Sequence, residues 1–281
     1  MCIRDSQSTV RKPDTRIVAM KTIAIIGGTI ITPLQKYNRG VLLISGGTIS
    51  AVGTADDVKI PENAETINAV GKLVAPGYVD SHTHGGFGYD YMDINQDQLD
   101  EVLAKLPSKG VTSVVPTIAS ASLDDQIRML EVLKNGQSRS PKGAKIVGVH
   151  LEGPYLAPEK RGAQPLDALR MPSVEEVRRL LEVGEGLVRL VTLAPELPGC
   201  LDVIEYLASR GVTVSAGHTS ASYEVIERAV QHGLSRAAHL FNGMEALHHR
   251  KPGTVGAALT LNPIFAEVIL DGIHLDPRIV K

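Results

Sequence analysis

Short apolar runs recur along the chain from residue 73 onward, and segments with helical spacing separate them. Strands that alternate with helices at this interval are typical of parallel βαβ units. The apolar runs predict seven strands, over residues 73–81, 111–116, 145–152, 187–193, 212–217, 237–241 and 266–270. The segments between them predict helices over residues 96–106, 123–133, 174–181, 201–208 and 223–231. A closed (β/α)8 barrel needs an eighth strand, so we predict an α/β fold with an incomplete TIM-type barrel and expect the sequence to be truncated at its C-terminus.

Residues 20–72 follow a different pattern and predict the N-terminal part of a small β domain. β-branched runs meet the glycine pairs Gly27-Gly28 and Gly46-Gly47, and such pairs favour hairpin turns. Neither pair belongs to a GxGxxG or P-loop motif, so neither predicts a phosphate site. Residues 1–19 are charged and lack a continuous apolar core, which is unlike a signal peptide. We expect them to be a disordered or non-native extension, and the barrel to occupy residues 73–281.

Polar side chains lie where several of the predicted strands end. Glu152 ends one apolar run, His82 and His84 end another, and His218 and His239 end two more. The carboxyl ends of parallel strands meet at one face of a barrel, and a buried carboxylate is costly unless positive charge meets it. Imidazole nitrogens and carboxylate oxygens are ligands of catalytic metal ions. The pattern therefore predicts a metal site at this face.

The spacing and the donor types indicate what this site binds. Residues i and i+2 of a strand share a face, so His82 and His84 can point at one ion. Glu152 with His218 and His239 leaves a coordination position for water, as catalytic zinc sites do. Zn²⁺ suits these ligands, and Fe²⁺, Mn²⁺ or Co²⁺ also accept nitrogen and oxygen donors. The alternatives are an exposed loop for the HxH pair and ordinary core histidines for the other two.

Other polar residues near the strand ends are candidates for supporting the site or binding a ligand. His150 precedes Glu152 by two residues on the same face, and we interpret it as a core or supporting residue. Asn242 and the Gly243 amide can hydrogen-bond an anionic or hydroxylated ligand. Arg250 lies in a basic loop, and arginine is suited to bidentate contact with phosphate, although a solvated loop has the same pattern.

Composition and charge exclude several classes of partner. Lys and Arg total 29 and Asp and Glu total 31, which gives no support for nucleic-acid binding or a polybasic membrane contact. No apolar run approaches the ~20 residues of a membrane-spanning helix. The two cysteines, Cys2 and Cys200, form neither a ligand pair nor a disulfide framework. This usage favours a reducing, cytoplasmic compartment.

The chain resembles the N-acetylglucosamine-6-phosphate deacetylases of the metal-dependent amidohydrolase superfamily. The resemblance covers residues 21–281, and the pair HLEGP and HLFN is its most specific part. The motifs that carry it are PGYVDSHTH at 76–84, HLEGP at 150–154, KRGAQ at 160–164, GHT at 217–219, HLFNGM at 239–244, RKPG at 250–253 and DGIH at 271–274. It implies a TIM-type barrel with a small N-terminal β-sandwich domain.

The resemblance also implies roles for individual residues. Glu152, His218 and His239 match the ligands of the main metal, and His82 and His84 permit a second ion. The sugar phosphate would meet the matching positions Ala163, Gln164, Asn242, Gly243, Arg250, Asp271 and His274. In the family the arginine crosses a dimer interface, so we expect a homodimer in which Arg250 reaches the neighbouring site. Gln164 stands where the family often has a histidine that polarises the amide carbonyl, and glutamine carries no charge for that task.

The implied reaction is hydrolysis of N-acetyl-D-glucosamine 6-phosphate to D-glucosamine 6-phosphate and acetate. The family's acid/base aspartate would follow Lys281, so we find no catalytic acid/base in this sequence and expect the 281-residue chain alone to be inactive. One alternative is a cyclic-amide hydrolase of the same superfamily, which commonly needs a lysine at a strand end. Strands three and four offer Glu152 and Ala194-Pro195-Glu196 there instead. The other alternative is a non-catalytic sugar-phosphate sensor.

Overall fold

The computed structural model of the chain describes residues 21–139 and 142–281; the predicted extension 1–19 lies outside them. Contacts divide the chain into two compact units, one ending at Pro76 and one from Gly77 to Lys281. The first unit has five strands, β1 Thr22–Ile31, β2 Lys36–Ser45, β3 Thr48–Gly53, β4 Glu65–Asn68 and β5 Leu73–Val74. They form one sheet in the order β3-β2-β1-β4, with β5 also paired to β1. Ala24, Val41 and Leu43 of the sheet form a small core with Val58.

The two glycine pairs of the first unit have different structures. Gly46 and Gly47 form the predicted hairpin turn between β2 and β3, with Ser45 paired to Thr48, and both glycines have positive φ. The hairpin predicted at Gly27-Gly28 is wrong, because β1 runs straight through it. Gly27 has φ +79° and the register to β2 shifts there. A left-handed residue inside a strand produces a bulge rather than a reversal of the chain.

The second unit alternates strands with helices. Its strands are β6 Tyr78–Thr83, β7 Gly85–Gly86, β8 Tyr89–Asp90, β9 Val111–Ile118, β10 Lys145–Ile146, β11 Val149–Glu152, β12 Val188–Leu193, β13 Thr213–Ala216, β14 Leu234–Ala237 and β15 Phe265–Ala266. Its helices are α1 Gln96–Lys105, α2 Leu123–Ser138, α3 Val174–Gly184, α4 Cys200–Ser209, α5 Tyr223–Gln231 and α6 Gly253–Thr260. Short 3-10 turns cover Leu106–Lys109, Pro158–Lys160 and Leu166–Ala168.

The main sheet of the second unit is parallel throughout and curls as in a TIM-type barrel. β9 pairs with β6, β10 and β11, and the order continues through β12, β13 and β14 to β15. Each helix packs apolar residues against it, and the shared core includes Leu130, Leu180 and Ile204. The class predicted from strand–helix alternation is therefore confirmed. Among the helices that the structure describes, none has the length and apolar character needed to cross a bilayer.

Four of the predicted strands are interrupted or differ from the observed bounds by more than two residues. The run 73–81 is split, since Leu73–Val74 pairs in the small sheet and β6 begins after Pro76, which cannot donate a ladder hydrogen bond. The run 145–152 is interrupted at Val147 and Gly148. The run 237–241 is displaced, since the observed strand β14 is Leu234–Ala237. The charged Arg236 interrupts the apolar pattern by which that strand would have been predicted. The run 266–270 shrinks to β15, because its neighbour β14 ends at Ala237.

Helix α6 was not predicted from the sequence. Its residues Gly253–Thr260 are mostly buried small or apolar side chains. They therefore lack the alternation of apolar and polar positions by which a surface helix is recognised.

Candidate metal centre

Five side chains from four strand ends converge at the carboxyl edge of the parallel sheet. Glu152 is the last residue of β11 and is buried. His82 lies in β6 and His84 follows that strand. His218 and His239 each lie two residues beyond a strand, β13 and β14 respectively. The sequence predicted this convergence, although it placed the last histidine inside a strand.

The Glu152 carboxylate is the centre of the cluster. Its Oε1 atom lies 3.1 Å from His82 Nε2, 3.2 Å from His218 Nε2 and 3.3 Å from His239 Nε2. Its Oε2 atom lies 3.1 Å from His84 Nε2. The ligand atoms form two groups, Glu152 with His82 and His84, and Glu152 with His218 and His239, each within 4.8 Å. Glu152 belongs to both groups.

The hydrogen bonds of the Nδ1 atoms of His218 and His239 determine which form of each ring faces the Glu152 carboxylate. His218 Nδ1 lies 2.8 Å from the Lys160 carbonyl oxygen, and His239 Nδ1 lies 3.0 Å from the Asn242 carbonyl oxygen. A carbonyl only accepts, so both Nδ1 atoms carry a hydrogen, and each ring in its neutral form presents a lone pair at Nε2. These Nε2 atoms are 3.2 Å apart and both face the Glu152 carboxylate. Three acceptors converge on one point, which is the donor set of a divalent cation.

The pKa values of the cluster follow from the same contacts. Burial disfavours the charged form of Glu152, but hydrogen bonds from the four imidazoles outweigh it and hold the pKa of the carboxyl well below its ordinary value. Burial opposes protonation of His82, but hydrogen bonds to Glu152 and Glu267 raise its pKa to about 9. The pKa of His218 is raised as well, since its hydrogen bond to Glu152 outweighs burial. The metal-free cluster thus favours protonation of His82 and His218 beside the carboxylates, and a metal ion would take the place of these protons.

The turns that carry His218 and His239 are left-handed. The φ angles are +47° and +30°, a region that residues with a Cβ rarely adopt and that clusters at functional sites. Thr219 N donates to the Gly243 carbonyl oxygen at 3.0 Å, which links the two turns. A Cβ on Gly243 would lie 3.2 Å from His218 Nδ1 and 3.5 Å from His239 Cε1. Glycine at position 243 therefore leaves room for both rings, which the sequence alone did not reveal.

Gln164 holds the central carboxylate. Its Nε2 donates to Glu152 Oε2 at 2.6 Å, and its Oε1 accepts from Ser120 N at 2.8 Å. The side chain is buried, and these two bonds fix which way the amide faces. The sequence placed Gln164 among the substrate-binding residues, and the structure adds that it orients Glu152.

His150 supports the HxH segment from inside the sheet. It is fully buried, with Nδ1 3.1 Å from Thr117 Oγ1 and Nε2 2.8 Å from Thr192 Oγ1. Thr117 Oγ1 also accepts from Thr83 N at 3.0 Å, and the His150 ring meets the His82 ring edge-on at 4.5 Å. The prediction of a supporting core histidine is confirmed.

A carboxylate that sequence reasoning missed completes the cluster. Glu267 follows β15, and its Oε1 lies 2.6 Å from His82 Nδ1. Its other oxygen is paired with Arg236 of β14. The residue lay inside the predicted strand 266–270, and the only signal was an acidic side chain in an apolar run.

A cavity of about 600 Å³ opens over the cluster. Among the predicted ligand-binding residues, it is lined by Ala163, Gln164, Asn242, Gly243 and His274. Asp271 and Arg250 are not among the residues that line it. Asp271 Oδ2 lies 2.7 Å from His274 Nδ1, so it orients His274.

Arg250 lines a second cavity of about 620 Å³ in the same unit. Ser220, Tyr223 and Glu245 are among the other residues of that cavity. The structure therefore does not bring Arg250 together with the metal cluster of its own chain.

Comparison with known proteins gives consistent matches. The sequence profile of the Amidohydrolase family matches residues 73–280. The N-acetylglucosamine-6-phosphate deacetylase of Bacillus subtilis (strain 168) is 34% identical over 255 residues, which are 90% of this chain and 64% of that protein. The N-acetylgalactosamine-6-phosphate deacetylase of Escherichia coli O157:H7 is 36% identical over 236 residues, which are 84% of this chain and 61% of that protein.

A solved structure agrees with the sequence matches. A variant of N-acetyl-D-glucosamine-6-phosphate deacetylase from Mycobacterium smegmatis, in complex with N-acetyl-D-glucosamine-6-phosphate, superposes with a TM-score of 0.85 at 32% identity. The match covers 92% of this chain and 66% of that one. The chain thus spans 61–66% of the length of these three relatives.

Proposed function

The chain belongs to the amidohydrolase family, and from this premise we propose that it takes part in hydrolysing N-acetyl-D-glucosamine 6-phosphate to D-glucosamine 6-phosphate and acetate. The observation that carries the proposal is the buried Glu152 carboxylate beneath an open cavity, with imidazole Nε2 atoms facing both of its oxygens. The activities named for the relatives of Bacillus subtilis and Escherichia coli support the substrate class, an N-acetylated hexosamine phosphate.

We assign the metal to the two ligand groups that share Glu152. His218 and His239 would hold one ion with it, and His82 and His84 a second ion. Zn²⁺ is our choice, with Fe²⁺, Mn²⁺ and Co²⁺ as the other ions that accept these donors. A bound ion of this kind supplies an acidified water and a Lewis acid for the amide oxygen.

The residues of the chain bind and orient the substrate. Gln164 and the backbone of Ser120 fix the Glu152 carboxylate through two hydrogen bonds. Asp271 accepts a hydrogen bond from His274 Nδ1 and so orients the ring. The Nε2 atom of His274 is then available to bind the sugar phosphate in the cavity. Asn242, Gly243 and Ala163 line the same cavity. Binding energy at the phosphate, remote from the acetyl group, would keep the amide in place for attack.

The cyclic-amide hydrolase alternative has less support. Such enzymes commonly bridge their metals with a carboxylated lysine. No lysine lines the cavity over Glu152 within the described parts of the chain, 21–139 and 142–281.

A cytoplasmic location, predicted from cysteine usage, remains part of the proposal.

The test is acetate release by the natural gene product that carries this sequence, loaded with each candidate metal. We expect release from N-acetylglucosamine 6-phosphate, and at least ~10²-fold slower release from unphosphorylated N-acetylglucosamine, because the phosphate contacts are lost. N-Acetylgalactosamine 6-phosphate tests the other sugar named among the relatives. Hydrolysis of dihydroorotate instead would support the cyclic-amide alternative. Tight binding of the sugar phosphate without turnover would support the sensor.

Arg250 provides a separate prediction about the neighbouring subunit. Arg250→Ala should raise KM for the phosphorylated sugar about 10–100-fold, since a charged hydrogen bond contributes about 1.5–3 kcal/mol, and should leave the unphosphorylated sugar unchanged. Lys251→Ala removes the same charge from the next position and is the control. Equal losses for both sugars would remove Arg250 from the phosphate site.

A mixing experiment decides whether Arg250 acts across a dimer. Glu152→Gln and Arg250→Ala chains would be expressed together. In a homodimer with shared sites, a hybrid pairs an intact metal cluster with the intact arginine of its partner. Acetate release should therefore reappear in the hybrids. No recovery, with hybrids shown by mass spectrometry, would mean that Arg250 does not reach a neighbouring site.

A further inference from the structure

We propose that Glu267 is a positioning residue that presents His82 to the second metal ion, and that Arg236 fixes Glu267 for this task. The inference rests on the metal centre assigned under the proposed function. It does not depend on which amide the protein cleaves. It predicts that the choice between one and two ions is made at Glu267.

The contact between Glu267 and His82 determines which nitrogen of the ring can bind metal. His82 Nδ1 lies 2.6 Å from Glu267 Oε1. An ionised carboxylate only accepts, so Nδ1 carries the hydrogen and Nε2 presents its lone pair. His82 Nε2 then faces Glu152 Oε1 at 3.1 Å. A carboxylate behind a ligand histidine holds its tautomer and makes it a stronger ligand.

Arg236 occupies one of the two carboxylate oxygens of Glu267 and leaves the other for His82. Its Nε donates to Glu267 Oε2 at 3.1 Å, and its Nη2 donates to Ser81 Oγ at 2.7 Å. With Oε2 occupied, Oε1 is left for the imidazole. The Glu267 side chain is only 14% exposed, and the arginine charge makes its burial as a carboxylate tolerable.

Glu267 also touches the other ligand group. Its Oε1 accepts from His239 N at 3.4 Å. Its backbone N donates to the Ala237 carbonyl oxygen at 2.9 Å, and its carbonyl oxygen accepts from Leu240 N at 2.7 Å. Both the side chain and the backbone of Glu267 are therefore hydrogen-bonded to the segment after β14 that carries His239.

The histidines of the two groups differ in how they are held. His218 and His239 donate Nδ1–H to backbone carbonyl oxygens, which no side-chain substitution removes. His82 donates instead to a side chain. The tautomer of His82 thus depends on the side chain of Glu267, whereas the tautomers of His218 and His239 are held by backbone carbonyl oxygens.

Glu267→Gln is the discriminating substitution. Glutamine has one acceptor oxygen in place of two, so its NH₂ group must face either Arg236 or His82. Facing His82, it would donate to Nδ1 and keep the ring hydrogen on Nε2, where a metal ion cannot bind. Facing Arg236, it would set donor against donor and break the ion pair. Either orientation weakens the ligand.

The experiment is a metal titration rather than an activity assay. Co²⁺ would be added to metal-free protein and followed by visible absorption and by metal analysis after dialysis. We expect two ions per chain in the wild type. Glu267→Gln should weaken the second ion about 10–100-fold, the usual cost of losing such a supporting carboxylate. The first ion should bind as before, which also shows that the variant is folded.

Glu205→Gln is the matched control. Glu205 Oε2 lies 3.1 Å from His232 Nδ1 on an exposed surface. The substitution therefore removes the same type of bond at a place away from the cluster. It should leave both ions unchanged. Equal binding of both ions by Glu267→Gln, or only one ion in the wild type, would overturn the proposal.

A measurement on the wild type keeps the proposal testable if the variant does not fold. In the Zn²⁺-loaded protein, ¹⁵N-resolved NMR should show His82 with its hydrogen on Nδ1. A hydrogen on Nε2 would overturn the assignment. Because neither readout uses acetate release, failure of the proposed deacetylation would leave these results standing.

Discussion

Replacement of Glu152 by glutamine is expected to remove both metal ions and to reduce acetate release by about 10³-fold or more. The carboxylate is the one residue common to the two ligand groups. Metal-ion catalysis contributes several kcal/mol to stabilising the transition state, and each 1.36 kcal/mol is tenfold in rate.

Glu196→Gln is the control for this substitution. Glu196 is a carboxylate beyond the neighbouring strand β12, and it accepts from Thr219 Oγ1 and Ser220 N, each at 2.6 Å. It does not face the cluster, so metal content should stay at the wild-type value. Glu152→Gln protein that retains two ions by metal analysis would show that Glu152 does not bridge them.

Removal of the metal by a chelator should lower the unfolding temperature of the wild type by about 10 °C. An ion present at about 10³ times its Kd stabilises the native state by about 4 kcal/mol. Each kcal/mol corresponds to about 2–4 °C for a domain of this size. Differential scanning calorimetry before and after chelation, with metal added back, measures the shift.

The same scan on Glu152→Gln separates metal loss from other effects of the chelator. This variant should hold no metal in the cluster, so chelation should leave its unfolding temperature unchanged. An equal shift in both proteins would place the stabilising ion elsewhere. No shift in the wild type would mean that the cluster binds metal too weakly to contribute to folding.

Much of the barrel and the centre of the site could be predicted from the sequence. Strands whose signal is a continuous apolar run, such as β9 and β12, were found within two residues of their bounds. Glu152 was identifiable because an acidic residue directly after an apolar run requires a compensating partner. His82 and His84 were identifiable through the two-residue repeat of a strand.

The remaining parts depend on contacts between segments that are distant along the chain. Strand β14 was misplaced because Arg236 interrupts its apolar pattern, and only its pairing with Glu267 explains a charge there. Glu267 was overlooked for the same reason, since neither residue reveals the other in one sequence. The left-handed turns at His218 and His239 are likewise set by the linked loops around them, and local propensity would disfavour them.

The His82–Glu267 contact joins residues 185 positions apart along the sequence, which bears on how the protein folds. Contacts of such separation form late and slow the folding of the domains that contain them. The first strand of the barrel sheet must wait until the polypeptide as far as Glu267 has been synthesised before its histidine is oriented. Uptake of the ion at His82 and His84 therefore marks a sheet that is assembled as far as β15, and a chain whose synthesis has not reached Glu267 would lack an oriented His82.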